Sequence, residues 1–115
     1  MEFISTRGKD GPISFETALL NGLARDGGLY LPVSWPRFNL DEIRQMRDLS
    51  YSDLAGIIMS RFTDGEIDQV EMTSLARQSY ADFTHPDVAP LRPVAENIHI
   101  LELSLIHISE PTRRI

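Results

Sequence analysis

Apolar residues recur at helical spacing, three or four positions apart, in three long segments of this chain. The first segment begins after Ser14, a residue suited to cap a helix, and Gly22 follows as its exit. Its apolar face consists of Phe15, Ala18, Leu19 and Leu23. The pattern predicts a short amphipathic helix near the start of the chain.

The other two segments lie on either side of a predicted turn at Thr63-Asp64-Gly65. One helix is predicted to begin after a Ser50 cap, and a longer one to run from about Ile67 to Phe83. A shorter helix, Leu40 to Arg47, is predicted behind an Asn39 cap. The apolar positions of the two longer helices are Tyr51, Leu54, Ala55, Ile58 and Phe62 in the first, and Met72, Leu75, Ala76 and Phe83 in the second.

Short extended runs flank these helices. Strands are predicted at Glu2 to Ser5, Leu29 to Leu31, Leu91 to Ala95 and Ile98 to Leu103. The run Asp26-Gly27-Gly28 is predicted to reverse the chain before the second strand, because glycine adopts a positive φ at little cost. Pro93 would confine its strand to a sheet edge. The sequence therefore predicts an α+β fold with short strands and about four helices.

Composition fits a soluble globular chain, with 42% apolar and 24% charged residues, and 115 residues correspond to one domain or part of one. No apolar run is long enough to span a membrane and no secretory leader is visible, so we expect a cytoplasmic protein without a membrane partner. The absence of cysteine excludes disulfides and thiolate metal sites.

The charge distribution argues against binding to nucleic acid. The formal net charge is −6, and the 11 basic residues are scattered along the chain. Two helices around Thr63-Asp64-Gly65 would suggest a helix-turn-helix DNA-binding motif, but the later helix carries acidic residues where such a motif needs Arg and Lys. His85 and His99 lie in different segments without ligand spacing, so we expect no metal site.

Two blocks near the start of the chain resemble the opening of the threonine synthases, enzymes that use pyridoxal phosphate (PLP) to make threonine from O-phosphohomoserine. The blocks are Phe3 to Gly8 (FISTRG) and Phe15 to Pro32 (FETALLNGLARDGGLYLP). A third run, Asn97 to Leu103 (NIHILEL), is also similar to that family. The resemblance covers residues 1–103, and it implies a small N-terminal domain that packs on a larger α/β catalytic core of PLP fold type II.

The resemblance also implies a carbon–oxygen lyase of threonine biosynthesis, with phosphate eliminated and water added. In that family a Phe-His-Gly-Pro-Thr run and then the PLP lysine follow the strand that ends here at Leu103. In this chain Ser104 comes next, and the only lysine, Lys9, lies in a turn-like run without a glycine-rich phosphate cradle. We therefore expect no catalytic, cofactor-binding or metal-binding residue, no bound cofactor and no activity in this chain. PLP, O-phosphohomoserine and the catalytic domains would belong to the full-length enzyme.

Residues 104–115 have a separate interpretation. The run Leu103 to Arg113 is what one reading frame of a common sequencing-library adapter encodes, so we expect residues 1–103 to be the domain and 104–115 a non-native tail. The alternative is a natural apolar strand at Leu105 to Ile108. For the whole chain, the alternative function is a free-standing α+β binding or regulatory module derived from the same domain, which a genuine stop after Leu103 would favour.

Without a catalytic core, part of the apolar surface would lack a partner. The candidates for this exposed interface are Tyr30, Leu31, Ile98 and Ile100. The alternative is that these side chains fill the core of the small domain itself.

Overall fold

The computed structural model describes residues 1–103, and the predicted tail, residues 104–115, lies outside the described residues. Four helices and five short strands make up the described part, which confirms the α+β class. In chain order the elements are β1 (Glu2–Ser5), β2 (Ile13–Ser14), α1 (Phe15–Asn21), β3 (Tyr30–Pro32), α2 (Leu40–Gln45), α3 (Tyr51–Thr63), α4 (Gln69–Tyr80), β4 (Leu91–Ala95) and β5 (Ile98–Leu101).

The first three strands form an antiparallel sheet in the order β2-β1-β3. β1 is the central strand, and its residues alternate between exposed and buried, as a half-buried strand requires. Phe3 and Ser5 point inward, and the Phe3 ring packs against Phe15 at the start of α1 with 5.8 Å between ring centroids. This sheet therefore holds the two sequence blocks of the N-terminal region together.

The predicted caps at Ser14, Asn39 and Ser50 are confirmed, since each side chain accepts a hydrogen bond from a backbone N–H in the first turn of its helix. At Asn39 the Glu42 side chain also bonds back to the Asn39 N–H, which completes a capping box. Gly22 ends α1 with a φ of 72°.

Two helices are shorter than predicted. α4 begins at Gln69 rather than Ile67, because Asp68 is its cap and accepts from the Glu71 N–H. It ends at Tyr80 rather than Phe83. α2 ends at Gln45 rather than Arg47, where the backbone tightens into three-residue turns.

α3 and α4 pack against each other as an antiparallel pair. Gly56 of α3 faces Thr73 of α4 so closely that a Cβ at Gly56 would lie 2.8 Å from the Thr73 Cα. At one end of the pair the Tyr51 and Tyr80 rings meet edge to face, 5.0 Å apart. The predicted turn between the helices is confirmed, with Asp64 in the left-handed conformation.

Contacts between the helical pair and the N-terminal part of the chain include two polar ones and an aromatic one. The N-terminal ammonium of Met1 lies 3.1 Å from Asp64 Oδ2, and the Glu16 N–H donates to Glu66 Oε2 at 3.1 Å. Trp35, in the loop before α2, packs edge to face on Phe62 of α3. All three contacts lie near the surface, so they position the two parts without adding much buried apolar area.

The apolar core is small. Within the described residues, the buried apolar side chains are Phe3, Ala18, Ala24, Met72, Ala76 and Val88. Helix faces that the sequence predicts to be apolar are only partly covered, since Leu19 and Leu23 are each 63% exposed and Leu75 is 45% exposed.

The candidate interface residues fall into two groups. Leu31, Ile98 and Ile100 are exposed, whereas Tyr30 is half-buried.

β4 and β5 form the predicted antiparallel hairpin around Glu96-Asn97, although the second strand ends at Leu101 rather than Leu103. No helix within residues 1–103 is long and apolar enough to cross a membrane.

Candidate functional site

A cluster of hydrogen-bonded polar groups ties together the two loops on which the sequence blocks converge. One loop follows β1 and the other follows α1. We call this cluster the loop network, and its members are Ser5, Thr6, Arg7, Lys9, Asp10, Arg25, Asp26, Gly28 and Tyr30.

Asp26 is the first centre of the loop network. Its Oδ1 accepts from the Ser5 hydroxyl at 2.6 Å and from the Gly28 N–H at 2.9 Å, and its Oδ2 accepts from the Lys9 N–H at 3.1 Å. These bonds, the Ser5 hydroxyl above all, lower the pKa of the Asp26 carboxyl below its ordinary value. The carboxylate therefore fixes the loop after β1 against the reversal that precedes β3.

Asp10 is the second centre. Its Oδ2 accepts from the Tyr30 hydroxyl at 2.6 Å and from the Arg25 N–H at 2.8 Å. The Tyr30 bond is the main cause that lowers the pKa of Asp10, and the same bond raises the pKa of the Tyr30 hydroxyl. Asn21 completes the arrangement by donating to the Tyr30 oxygen at 3.3 Å.

Close approach at Gly28 explains why the reversal carries glycine there. A Cβ at Gly28 would lie 2.3 Å from Ser5 Oγ and 2.8 Å from Thr6 Oγ1. Arg7 closes the other side of the reversal, since its Nη1 donates to the Asp26 carbonyl oxygen at 2.8 Å. Arg7, which sequence alone leaves open as a plain surface residue, is thus part of the loop network.

The loop network is suited to hold two loops rather than to transform a substrate. Both carboxylates are engaged by hydroxyl and backbone donors, which leaves neither poised as a general base. Lys9 lies on an exposed loop and contributes its backbone N–H to the network. The helix N-termini carry side-chain caps at Ser14, Asn39, Ser50 and Asp68, and each cap accepts a hydrogen bond from one first-turn amide.

His85 and His99 lie in different segments of the described chain. His85 Nδ1 accepts from the Asp87 N–H at 3.1 Å in the connection after α4, and His99 lies on the exposed strand β5. Residues 1–103 contain no cluster of three or more His, Cys, Asp or Glu side chains able to hold a metal ion.

The sequence could not reveal the roles of Asp10 and Tyr30. From the sequence alone, Asp10 is interpreted as a turn residue and Tyr30 as a candidate for the exposed apolar interface. Their hydrogen bond could not be predicted, because it joins positions 20 apart in the chain. The available signal was the joint occurrence of the two blocks, since one block contains Asp26 and Tyr30 and the other contains Ser5, Thr6 and Arg7.

Comparison with known proteins gives consistent matches. The family model described as "Threonine synthase N terminus" matches residues 2–80. The chain is 44% identical to threonine synthase from Pseudomonas aeruginosa over 103 residues, which is 90% of this chain and 22% of that protein. It is 36% identical to threonine synthase from Schizosaccharomyces pombe over 104 residues, which is 90% of this chain and 20% of that protein.

Solved structures agree with the sequence matches. The fold is similar to PLP-bound threonine synthase from Brucella melitensis, with a TM-score of 0.80 and 41% identity over 93% of this chain and 23% of that chain. The match to threonine synthase from Escherichia coli has a TM-score of 0.72 and 30% identity over 91% of this chain and 23% of that chain. The chain thus spans about a fifth of the length of the relatives it matches.

Proposed function

The chain belongs to the threonine synthase family as its N-terminal domain, and on that premise we propose that the whole protein converts O-phosphohomoserine and water to threonine and phosphate. The observation that carries this proposal is the structural match to the PLP-bound Brucella melitensis enzyme, which covers 93% of this chain at 41% identity. The matched region, residues 2–80, includes the loop network that joins the two sequence blocks.

The residues of this chain do not fit PLP. A site for this cofactor needs a lysine amine for the covalent link and amides or cations for the phosphate. The single lysine lies on the exposed loop after β1, where its backbone N–H is bonded to the Asp26 carboxylate, and no glycine-rich phosphate-binding run follows it in the sequence. We therefore propose that PLP, the substrate and every catalytic group belong to the remainder of the enzyme, and that the 115-residue chain is inactive.

The partner that we propose for this domain is the catalytic domain of the same polypeptide. In the relatives the catalytic domain lies in the same chain as the matched region. Exposed apolar side chains on α1, β3 and the hairpin give this domain surface to bury against it. We place the protein in the cytoplasm, without a nucleic-acid or membrane partner, on the same family grounds.

A chimera tests this function. Residues 1–103 of this chain would replace the matched region of the Pseudomonas aeruginosa enzyme, and phosphate release from O-phosphohomoserine would be measured. We expect turnover by the chimera and none by the 115-residue chain at equal concentration. A soluble, PLP-loaded chimera without turnover would refute the proposed function, and turnover by the 115-residue chain would refute its assignment as an inactive domain.

A further inference from the structure

Asn21 and Gly22 form the only Asn-Gly pair in the chain, and they lie where α1 ends. Asn21 is the last residue of α1 and is exposed, and Gly22 is its C-cap with a φ of 72°. In such a pair the backbone nitrogen of the glycine can reach the side-chain amide carbon of the asparagine, because glycine has no side chain to block the approach. The pair is therefore a candidate for ring closure to a cyclic imide, the first step of deamidation.

The ring needs free space beside the glycine, and the structure provides it at Gly22. Apart from the adjoining chain, no heavy atom of residues 1–103 lies within 4 Å of a Cβ built on this glycine. The glycines that follow the two centres of the loop network are crowded instead. A Cβ at Gly11 would lie 2.7 Å from the Phe3 oxygen, and one at Gly27 would lie 2.8 Å from Arg7 Nη1. The acidic residues before these two glycines therefore lack that room.

Asp64 also precedes a glycine with free space, but its side chain lacks a good leaving group. A Cβ at Gly65 would meet nothing in residues 1–103 within 4 Å, whereas the Asp64 carboxylate lies 3.1 Å from the Met1 ammonium and is ionised. An ionised carboxylate is a hydrogen-bond acceptor only, and it would have to expel an oxide to form the ring. The neutral amide of Asn21 expels ammonia instead. Asn21 is thus the position at which space and chemistry coincide.

Attack on the side chain requires the last turn of α1 to open. The Gly22 N–H donates to the Ala18 oxygen at 3.1 Å, and Asn21 Nδ2 donates to the Tyr30 oxygen at 3.3 Å, which is long for a hydrogen bond. α1 has seven residues, and its last residue is exposed to solvent. Because terminal turns of helices fray at little cost in free energy, this opening is local and does not require the domain to unfold.

We propose that Asn21 is a site of spontaneous deamidation, and that the carboxylate formed there weakens the hydrogen bond between Tyr30 and Asp10. The Gly22 nitrogen bonds to Asn21 Cγ and loses its proton, and the side-chain nitrogen takes up a proton and leaves as ammonia. Water then opens the cyclic imide at either carbonyl, which yields aspartate or isoaspartate. Water is the only co-reactant, and nothing is oxidised or reduced. This inference concerns the chain itself and does not rest on the proposed function.

The weakening of this bond follows from the protons that each group holds. Asn21 donates to the Tyr30 oxygen, and the Tyr30 hydroxyl donates to Asp10 Oδ2 at 2.6 Å. A carboxylate at position 21 can only accept, so it competes with Asp10 for the single Tyr30 hydroxyl proton, and the two like charges repel each other. The new charge also opposes the negative end of the α1 dipole. Since the Arg25 N–H donates to the same Asp10 oxygen, the exchange of this amide with solvent reports the change.

Peptide mass mapping of the 115-residue chain at mildly alkaline pH tests the site, with the folded chain compared to the chain unfolded in guanidinium chloride. Asn39 and Asn97 are internal controls, because a leucine and an isoleucine follow them and block the approach of the backbone nitrogen. We expect Asn21 to exchange NH2 for OH at least about tenfold faster than either control, and to react in the folded chain within about thirtyfold of its unfolded rate. Earlier conversion of Asn39 or Asn97, or a larger protection of Asn21 by the fold, would overturn the proposed site.

Two substitutions at the same position separate the added charge from the lost donor. Asn21→Asp carries the charge of the product, whereas Asn21→Ala removes the amide and adds no charge. We expect the Arg25 amide to exchange with solvent roughly tenfold faster in Asn21→Asp than in the wild type, and about as fast in Asn21→Ala as in the wild type. Equal exchange in all three chains, or equal acceleration in both variants, would show that the carboxylate does not weaken the bond between Tyr30 and Asp10 and would overturn that half of the proposal.

Discussion

At the scale of single residues, Gly56 sets how closely α3 and α4 approach. A Cβ at this position would lie 1.9 Å from Thr73 Oγ1 and 2.8 Å from the Thr73 Cα. We predict that Gly56→Ala lowers the free energy of unfolding by about 1–3 kcal/mol, because the added methyl group forces the helices apart. Urea denaturation of the 115-residue chain measures this change.

Helix propensity gives the opposite expectation for Gly56→Ala, a gain of up to about 1 kcal/mol. Ser74→Ala, on the exposed surface of α4, is the control and should change stability by less than about 0.5 kcal/mol. A more stable Gly56→Ala variant would contradict the close contact.

Asp26 makes the fold sensitive to acid. Its pKa is lower in the folded chain than its ordinary value of 3.8, chiefly because of the Ser5 hydroxyl bond. The ionised carboxylate therefore contributes stability above about pH 3.8, and this contribution is lost as the pH falls through the folded pKa. We predict that Asp26→Asn is less stable than the wild type at pH 6 and that the difference shrinks below pH 3.8.

The measurement is the urea midpoint between pH 6 and pH 2. Ser5→Ala removes the main cause of the lowered pKa, so it should weaken the acid dependence in the same direction. An acid dependence that is the same in the wild type and both variants would refute this role of Asp26.

Residue roles of this kind depend on contacts between distant parts of the chain. The Asp26 turn could be predicted, because its glycines have a local conformational signature. Its bond to Ser5 could not, since the two residues are 21 positions apart and meet only when β1 and β3 pair. Gly56 carries no local signal either, because its importance comes from the crossing of two helices.

At the scale of elements, the start of α3 depends on Ser50. Its Oγ accepts from the Asp53 N–H at 3.2 Å, which satisfies one of the free amides of the first turn. We predict that Ser50→Ala lowers the free energy of unfolding by about 1 kcal/mol, the usual cost of losing such a cap.

Ser50→Asp is the matched control, because an aspartate can accept the same hydrogen bond and favours the positive end of the helix dipole. Thermal denaturation of both variants distinguishes capping from other effects of the mutation. If Ser50→Asp is as unstable as Ser50→Ala, the hydrogen bond is not the cause.

Elements whose signals are local were predicted closely. The helices after Ser14 and Ser50 begin where the caps indicate, and the hairpin turns at Glu96-Asn97 because two extended runs flank it. The sequence predicts the start of α4 two residues too early, at Ile67 instead of Gln69. Asp68 suits either the first turn of a helix or its cap, and only the hydrogen bond from the Glu71 N–H shows that it is the cap. The burial of the helix faces is predicted less well than the helices themselves. An apolar stripe on α1 is visible in the sequence whether or not another element covers it, and in the structure its leucines are largely exposed.

At the scale of the whole molecule, the described domain has only a small apolar core of its own. Three of its six buried apolar side chains are alanines, which contribute little buried area. A core of this size is what we expect of a domain that packs on a further part of the same polypeptide, the partner that we propose for it.

The hairpin should therefore promote self-association of the 115-residue chain. Ile98 and Ile100 lie on one face of β5 and are 57% and 51% exposed, while Tyr30 is drawn into the loop network by its bond to Asp10. We predict that the average mass in sedimentation equilibrium rises above 13.0 kDa with concentration, because exposed apolar patches and free strand edges associate. The double change Ile98→Thr, Ile100→Thr should shift it back toward the monomer.

The same double variant separates an unpartnered surface from a core. Threonine keeps the β-branched shape that favours a strand, so the hairpin itself should persist. Because the two side chains are exposed and, within residues 1–103, β5 pairs only with β4, the free energy of the main unfolding transition in urea should stay within about 0.5 kcal/mol of the wild type. A wild-type chain that is monomeric at all concentrations, together with a double variant that unfolds, would show instead that Ile98 and Ile100 belong to the domain's own core.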